Sequence, residues 1–511
     1  MMKLPRLLPV FVIAAATPFA RAEIVPHPLF SDNAVLQQDM EVPVWGTARN
    51  GEKVTVRIAG QVVSTTAKEG KWMVRFNELK AGGPFTMTLK GDNEITLKNI
   101  LVGEVWVCSG QSNMERQLGL RPPQKPIFDW EAEVAAANYP QIRHVQIPFV
   151  AVDAPQSSVQ CQWTVCSPQS VQAFTAVGYF FGRDLYRARK VPVGLIHSSK
   201  GGTPAEAWTR HEVLVSDPLL AAIPAQHARN LATFEERLAK FKAQEPKLMA
   251  AHKAAVEKAK AQGQRLPRIP VAPVNPATDR NRPACLYNGM IAPLLPYAMR
   301  GVIWYQGESN SGNAKCYQTL FPAMIADWRK QWGQGAFPFL FVQIAPYSGM
   351  KPEIREAQFL TWQRTPGTAM AVTTDCGDAE DIHPIHKQPV GARLALAARA
   401  LAYGEPIEYS GPAYAGLKIQ GSRAVVSFTH LGGGLLAKGG PLKGFTIAGA
   451  DGKFEPAQAE IVGDNVVVSS QQVAMPVAVR YGWANVPEVN LFNKADLPAS
   501  PFRTDEALGA K

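Results

Sequence analysis

The chain has 511 residues, 46% hydrophobic and 19% charged, with a formal net charge of +11 at pH 7. A single core does not grow to that length, so two or three domains are expected. Lys3, Arg6 and Arg21 account for part of the surplus charge, and no basic block alternates with aromatic residues, which argues against a nucleic-acid groove. No run approaches the roughly 20 apolar residues of a membrane-spanning helix.

In chain order, residues 1–22 read as a secretory signal: Lys3 and Arg6 precede an apolar core, and Ala20-Arg21-Ala22 has the small-x-small form of a cleavage site. The mature protein is therefore expected to be secreted or periplasmic. Residues 23–101 carry short alternating runs such as Lys53-Val54-Thr55-Val56-Arg57-Ile58, separated by Gly, Asn and Asp turns, and predict an antiparallel β domain. From residue 102 to about 405 the pattern changes to apolar strands followed by helical spacing. Val193-Gly194-Leu195-Ile196, Gly301-Val302-Ile303-Trp304-Tyr305 and Phe339-Leu340-Phe341-Val342 predict strands of a parallel sheet buried on both faces. Within this region, about 226–280 reads as a helical insertion. Its stretch 231–262 is rich in Ala, Lys and Glu, ends at Gly263 and passes into a Pro-rich extended linker, so a solvated charged hairpin or lid is expected. Residues 406–511 return to short alternating strands and predict a closing β domain.

Val105-Trp106-Val107-Cys108-Ser109-Gly110-Gln111-Ser112 breaks an apolar run at a glycine and delivers a serine at a strand-to-helix turn. Ser112 with Glu115 also forms a capping-box pattern, so the same serine can serve as a helix cap. As a nucleophile it needs a base and a pocket of donors for an oxyanion. Its own N–H, at a helix start, is one such donor. Thr203 and Glu206 form a second capping-box pattern, with Pro204 between them, which puts Gly201 and Gly202 just ahead of another helix with free N–H groups. A plain strand-to-helix turn would use the same two glycines. Of nine histidines, His383 stands in Asp381-Ile382-His383-Pro384, where the proline favours an extended backbone. His197 and His386 read as structural. The six cysteines form no CxxC pair and show no zinc-ligand spacing. Cys161 and Cys166 are spaced to close a small loop, and Cys108 reads as a buried thiol. No metal and no cofactor is expected.

Gly110-Gln111-Ser112-Asn113-Met114, Trp304-Tyr305-Gln306-Gly307-Glu308-Ser309-Asn310 and Asp381-Ile382-His383-Pro384-Ile385-His386-Lys387, in this order, resemble the sialate O-acetylesterase family of SGNH-type esterases. Phe30-Ser31-Asp32-Asn33 and Leu286-Tyr287-Asn288-Gly289 extend the resemblance over most of the chain. It implies an α/β fold, an SGNH-type doubly wound, mostly parallel sheet with helices on both faces, flanked here by the two β domains. It also implies a serine esterase that removes O-acetyl groups from sialic acid or from plant-type polysaccharide such as xylan or xyloglucan.

On that resemblance Ser112 is the nucleophile and His383 the base. One of Gly201 and Gly202, together with Gln306, would assist the Ser112 N–H at the oxyanion. The acid that orients His383 is assigned to Asp381, since residues two apart share a side in extended chain, with Glu380 as the alternative. Glu308 is a further option for that acid, because a related acetylxylan esterase type draws its acid from this segment. Asn113, Glu308 and Trp208 are expected to contact substrate, with Trp208 or Trp304 stacking on a sugar ring. The partner is then an acetylated carbohydrate, with no nucleic acid or membrane. The rival from another class is a carbohydrate-binding protein with an inactive core.

Overall fold

The computed structural model describes residues 23–264 and 266–505. The expected signal, residues 1–22, lies outside them.

Alternation along the Glu94–Gly110 strand organises the molecule. Val105 and Val107 point into one apolar cluster with Ile196, Val302, Trp304, Phe339, Phe341, Phe321 and Trp328. Trp106 and Cys108 point into another, with Phe180, Phe181, Leu195, Ile303, Leu340 and Leu394. A strand that is apolar at every position can be stable only with both faces covered, and helices supply the cover: Ala176–Arg189 and Gln388–Tyr403 on the Trp106 side, Ala314–Trp332 on the other. The core path of the 11-stranded sheet runs Trp163–Cys166, Tyr139–Gln146, Val193–Ser199, Glu94–Gly110, Gly301–Tyr305, Phe339–Val342, Thr368–Ala371. Every pair on that path is parallel except the antiparallel edge strand Trp163–Cys166.

The boundary expected at 101/102 falls inside a single strand. Glu94–Gly110 is 17 residues long; its first half pairs with Gly82–Lys90, and its second half is the central strand of the parallel sheet. The N-terminal β residues Val35, Val44, Val56 and Leu89 share one apolar cluster with the parallel sheet. Beneath the sheet, the buried carboxylate of Glu104 accepts from Arg300 Nε at 2.8 Å, Gln38 Nε2 at 2.7 Å and Gln37 Nε2 at 3.2 Å, which ties the two regions again. The C-terminal strands from Ala413 onward enclose a cluster of their own around Val426, Ile447, Val466 and Tyr481.

The stretch expected as a helical insertion contains two helices. Ala222–Ala232 is followed by Phe234–Ala261, 28 residues with only Ala259 buried, as expected for an Ala/Lys/Glu-rich solvated helix. No described helix is long and apolar enough to cross a membrane. All six cysteines are free thiols, so the Cys161–Cys166 loop is not closed; Cys166 lies instead against the Ala137 carbonyl.

Gly110 ends the central strand at φ +133°, and a Cβ there would stand 2.2 Å from the Tyr305 carbonyl oxygen. Because backbone rather than a flexible side chain blocks it, Gly110→Ala is expected to lower stability by about 3 kcal/mol or more. Gly312, with open space around it, is the control: Gly312→Ala is expected to stay within about 0.5 kcal/mol in the same denaturant titration.

Candidate active site

Three neighbouring parallel strands end level. Gly110 is in register with Ser199 on one side and Tyr305 on the other, and the backbone closes across the ends, with Lys200 N donating to Gly110 O and Gln111 N to Tyr305 O. The chain reverses its order of addition at this central strand, with Val193–Ser199 on one side and Gly301–Tyr305 on the other. Such a switch point opens a crevice at the carboxyl ends. Ser112, Gly201, Gly202 and Glu308 each follow one of these ends by a few residues. They line a cleft of about 400 Å³ together with Gln111, Glu115, Arg121, Lys200, Arg280 and His383.

Ser112 is the first residue of the one-turn helix Ser112–Glu115, so its N–H has no intrahelical acceptor. Neither expected capping box forms. Gln111 is the N-cap, and Glu115 turns outward, accepting from Gly201 N at 3.0 Å, Lys200 Nζ at 3.2 Å and Arg121 at 3.3 Å. Burial alone would raise its proton affinity, but Arg121 and Lys200 hold the carboxyl below the ordinary range. At the second site Pro204 is the N-cap, Thr203 donates to Lys200 O, and Glu206 accepts from Asn310 Nδ2 at 2.8 Å. Long-range partners outcompete the local cap in both places. Gly201 has its N–H committed to Glu115, whereas Gly202, at φ +71°, lies beneath the Arg280 guanidinium.

His383 and Asp381 sit in the loop between the Thr368–Ala371 strand and the Gln388–Tyr403 helix. Asp381 Oδ1 accepts the His383 backbone N–H at 2.9 Å and stands 3.7 Å from the imidazole Nδ1, which also has Gln124 Nε2 at 3.5 Å. Burial, and next to it the Lys387 charge, lowers the His383 pKa from its ordinary value against the opposing pull of Asp381. Glu380 is exposed, and its backbone N–H is held by Asp378.

Several residues expected at the substrate are internal. Gln306 is fully buried: its amide nitrogen donates to Asn310 Oδ1 at 2.6 Å and Thr203 O at 3.3 Å, and its oxygen accepts from Tyr317 at 3.1 Å. With its donors spent on the scaffold, it braces the strand ends from behind the cleft. Trp208 and Trp304 are fully buried and pack edge to face, with Trp208 Nε1 donating to Thr203, so neither meets a sugar. Asn113 is buried as well. Its Nδ2 donates to Glu308 Oε1 at 2.6 Å and to the Ile382 carbonyl at 3.0 Å, and its Oδ1 accepts from Lys387 Nζ at 2.5 Å. Thus the residue after Ser112 grips the residue before His383. Burial drives Lys387 down to about 7 and raises Glu308 from its ordinary value. Glu308 Oε2 has no partner among the described residues.

His197 and His386 stay structural: His197 is buried against Ser199 Oγ at 2.5 Å, and exposed His386 packs on Phe128. Sequence reasoning overlooked Gln111, whose side-chain oxygen is pinned by Ser309 N at 3.2 Å and Gly307 N at 3.4 Å, although it stands beside the serine in the same motif. Arg121, Arg280 and Lys387 were also missed. Among the described residues no group of three or more His, Cys, Asp or Glu could hold a metal ion.

A family model described as "Carbohydrate esterase, sialic acid-specific acetylesterase" matches residues 102–262 and 272–399. Sialate O-acetylesterase of Rattus norvegicus is 30% identical over 90% of this chain and 90% of its own length, and that of Homo sapiens is 29% identical over 78% and 75%. Among solved structures, a carbohydrate acetylesterase from Xanthomonas citri superposes with a TM-score of 0.79 at 36% identity, covering 94% of this chain and 99% of that one.

Asn113→Ala removes the amide that joins Lys387, Glu308 and the His383 loop, leaving buried polar groups unpaired. It is expected to destabilise the protein by about 3 kcal/mol, read as a lowered denaturation midpoint. An unchanged midpoint would show that these groups find other partners.

Proposed function

The chain belongs to the sialic acid-specific acetylesterase family of carbohydrate esterases, and from that premise we propose an exported, SGNH-type carbohydrate O-acetylesterase that works through an acetyl-serine intermediate. It is a carboxylic ester hydrolase, so the rival reading of a non-catalytic binding protein falls away. Export rests on the basic and apolar pattern of residues 1–22.

The observation that carries the mechanism is the shared cleft: Ser112 at a helix N-terminus and His383 line the same 400 Å³ space. Ser112 Oγ attacks the acetyl carbonyl while its proton passes to His383, which is free to accept it because its pKa is lowered. The tetrahedral intermediate collapses, the bond between the acetyl carbonyl carbon and the sugar oxygen breaks, and the sugar alcohol leaves with that proton from His383. Water, deprotonated by the same imidazole, then cleaves the acetyl-serine and releases acetate. Asp381, tied to the His383 backbone, orients the loop and stabilises the imidazolium that forms transiently. The Ser112 and Gly202 N–H groups are the oxyanion donors of this reading, since Gly201 and Gln306 have their donors engaged elsewhere. The chemistry uses N–H donors and an imidazole throughout. Sialic acid esters are the first candidates, with acetylated xylan or xyloglucan next; comparing acetate release from each ranks them.

Three outcomes test this reading. Ser112→Ala and His383→Ala are each expected to lower turnover of p-nitrophenyl acetate by at least about 1,000-fold while the protein stays folded, and the double variant to be hardly worse than either; multiplying losses would refute a joint mechanism. Activity is expected to survive EDTA, and chelator sensitivity reversed by a divalent metal would overturn the site. The base must be neutral, so kcat/KM is expected to fall on acidification through a pKa below the ordinary histidine value of about 6.5. An acid limb centred above that value would assign the base elsewhere.

A further inference from the structure

Next to the cleft at Ser112 lies a second, larger pocket of about 620 Å³. A single turn divides them: Arg280 lines the cleft, while its neighbours Asp279, Asn281 and Arg282 line the pocket. The same holds for the turn Glu308–Asn313, whose first residues face the cleft and whose last faces the pocket. Glu206, in the pocket wall, is tied through Asn310 to Gln306 at the strand end. The two spaces are adjacent sectors of one surface built on the same strand ends.

One wall of the pocket is the helix Ala222–Ala232. On it Arg229 donates to Gln226 Oε1 at 2.8 Å and Gln226 donates to Asn230 Oδ1 at 3.0 Å. These hydrogen bonds link three polar side chains along the pocket wall. Exposed Lys315, at the start of the Ala314–Trp332 helix, lines the same pocket. The side-chain oxygen of Asn281 is buried without a hydrogen-bond partner among the described residues. Leu219, 68% exposed, and Ile223 add an apolar patch. Amides and cations around a small aliphatic surface suit a ligand with many hydroxyls and C–H faces, and the volume is typical of ligand pockets, about 300–1,000 Å³.

We propose that this pocket is a glycan subsite that binds the sugar unit next to the acetylated one, so that the enzyme prefers an acetyl group carried on an oligosaccharide to the same group on a monosaccharide. The inference rests on the carbohydrate-esterase reading above and adds substrate length to it.

The test measures kcat/KM for acetate release by the full-length enzyme from two matched pairs: O-acetylated sialic acid free and as the terminal unit of a sialyl-lactose, and acetylated xylose against acetylated xylotriose. In the pair that contains the natural sugar, wild type is expected to favour the oligosaccharide by about tenfold. Asn230→Ala and Lys315→Ala, both on surface side chains, are each expected to reduce that ratio severalfold, chiefly by raising KM for the oligosaccharide, as loss of one or two polar contacts predicts at about 1 kcal/mol each. Equal wild-type constants for both members of each pair would overturn the subsite while leaving the esterase reading intact, as would variants that depress both members in parallel. If p-nitrophenyl acetate is turned over but no sugar ester is, the carbohydrate reading itself fails and the subsite with it.

Discussion

The level ending of three parallel strands is the constraint on which the candidate active site depends. Register fixes Ser199, Gly110 and Tyr305 side by side, so whatever follows each of them in sequence is delivered to one spot. The contact is tight because nothing larger than hydrogen fits on Gly110 against the Tyr305 carbonyl. Both faces of the sheet are sealed by apolar clusters, which leaves the strand ends as the place where polar side chains can gather near water. The buried amides of Gln306 and Asn310 then lock the loops to one another, so that the serine turn stands on a stiff base.

Two carboxylates flank the serine turn in opposite electrostatic settings. Glu115, surrounded by Arg121 and Lys200, is held ionised and fixes the Gly201 backbone. Glu308 is largely buried at the cleft wall with Asn113 as its side-chain partner, and burial raises its proton affinity. Between them Asn113 couples helix and histidine loop through one side chain. The Ser112 turn and the His383 loop are thereby held to one another by buried hydrogen bonds. This favours a geometry preformed before substrate arrives.

Much of this was legible in the sequence, and the failures share one cause. Unbroken apolar runs announced strands buried on both faces, and the glycine before Ser112 announced the turn. The Ala/Lys/Glu spacing announced a solvated helix, because each of these signals is local. The capping boxes at Ser112 and Thr203 failed because Glu115 and Glu206 had stronger partners 86 and 104 residues away. Gln306 looked like a donor for the oxyanion, yet Asn310 and Thr203 claim its N–H groups. Trp208 has the chemistry of a sugar platform but the surroundings of a core residue, and sequence alone does not separate the two. The boundary at 101/102 followed a change of pattern from alternating to continuous apolar spacing. That change reflects the point where one strand passes from a sheet with one wet face to a sheet with none.

The length of that strand has a consequence for how the protein can move and how it can be inherited. Glu94–Gly110 acts as a beam with the N-terminal hairpins at one end and the Ser112 turn at the other. Bending it would break ladder hydrogen bonds and open a continuous apolar core, so no hinge is available between the two regions. The N-terminal β region therefore cannot swing over the cleft as a lid. Nor can the first β region be exchanged as a cassette: a descendant that lost it would uncover Val102 and Val105 and leave Glu104 with Arg300 alone, so this small β unit must travel with the esterase sheet as part of the same folding unit.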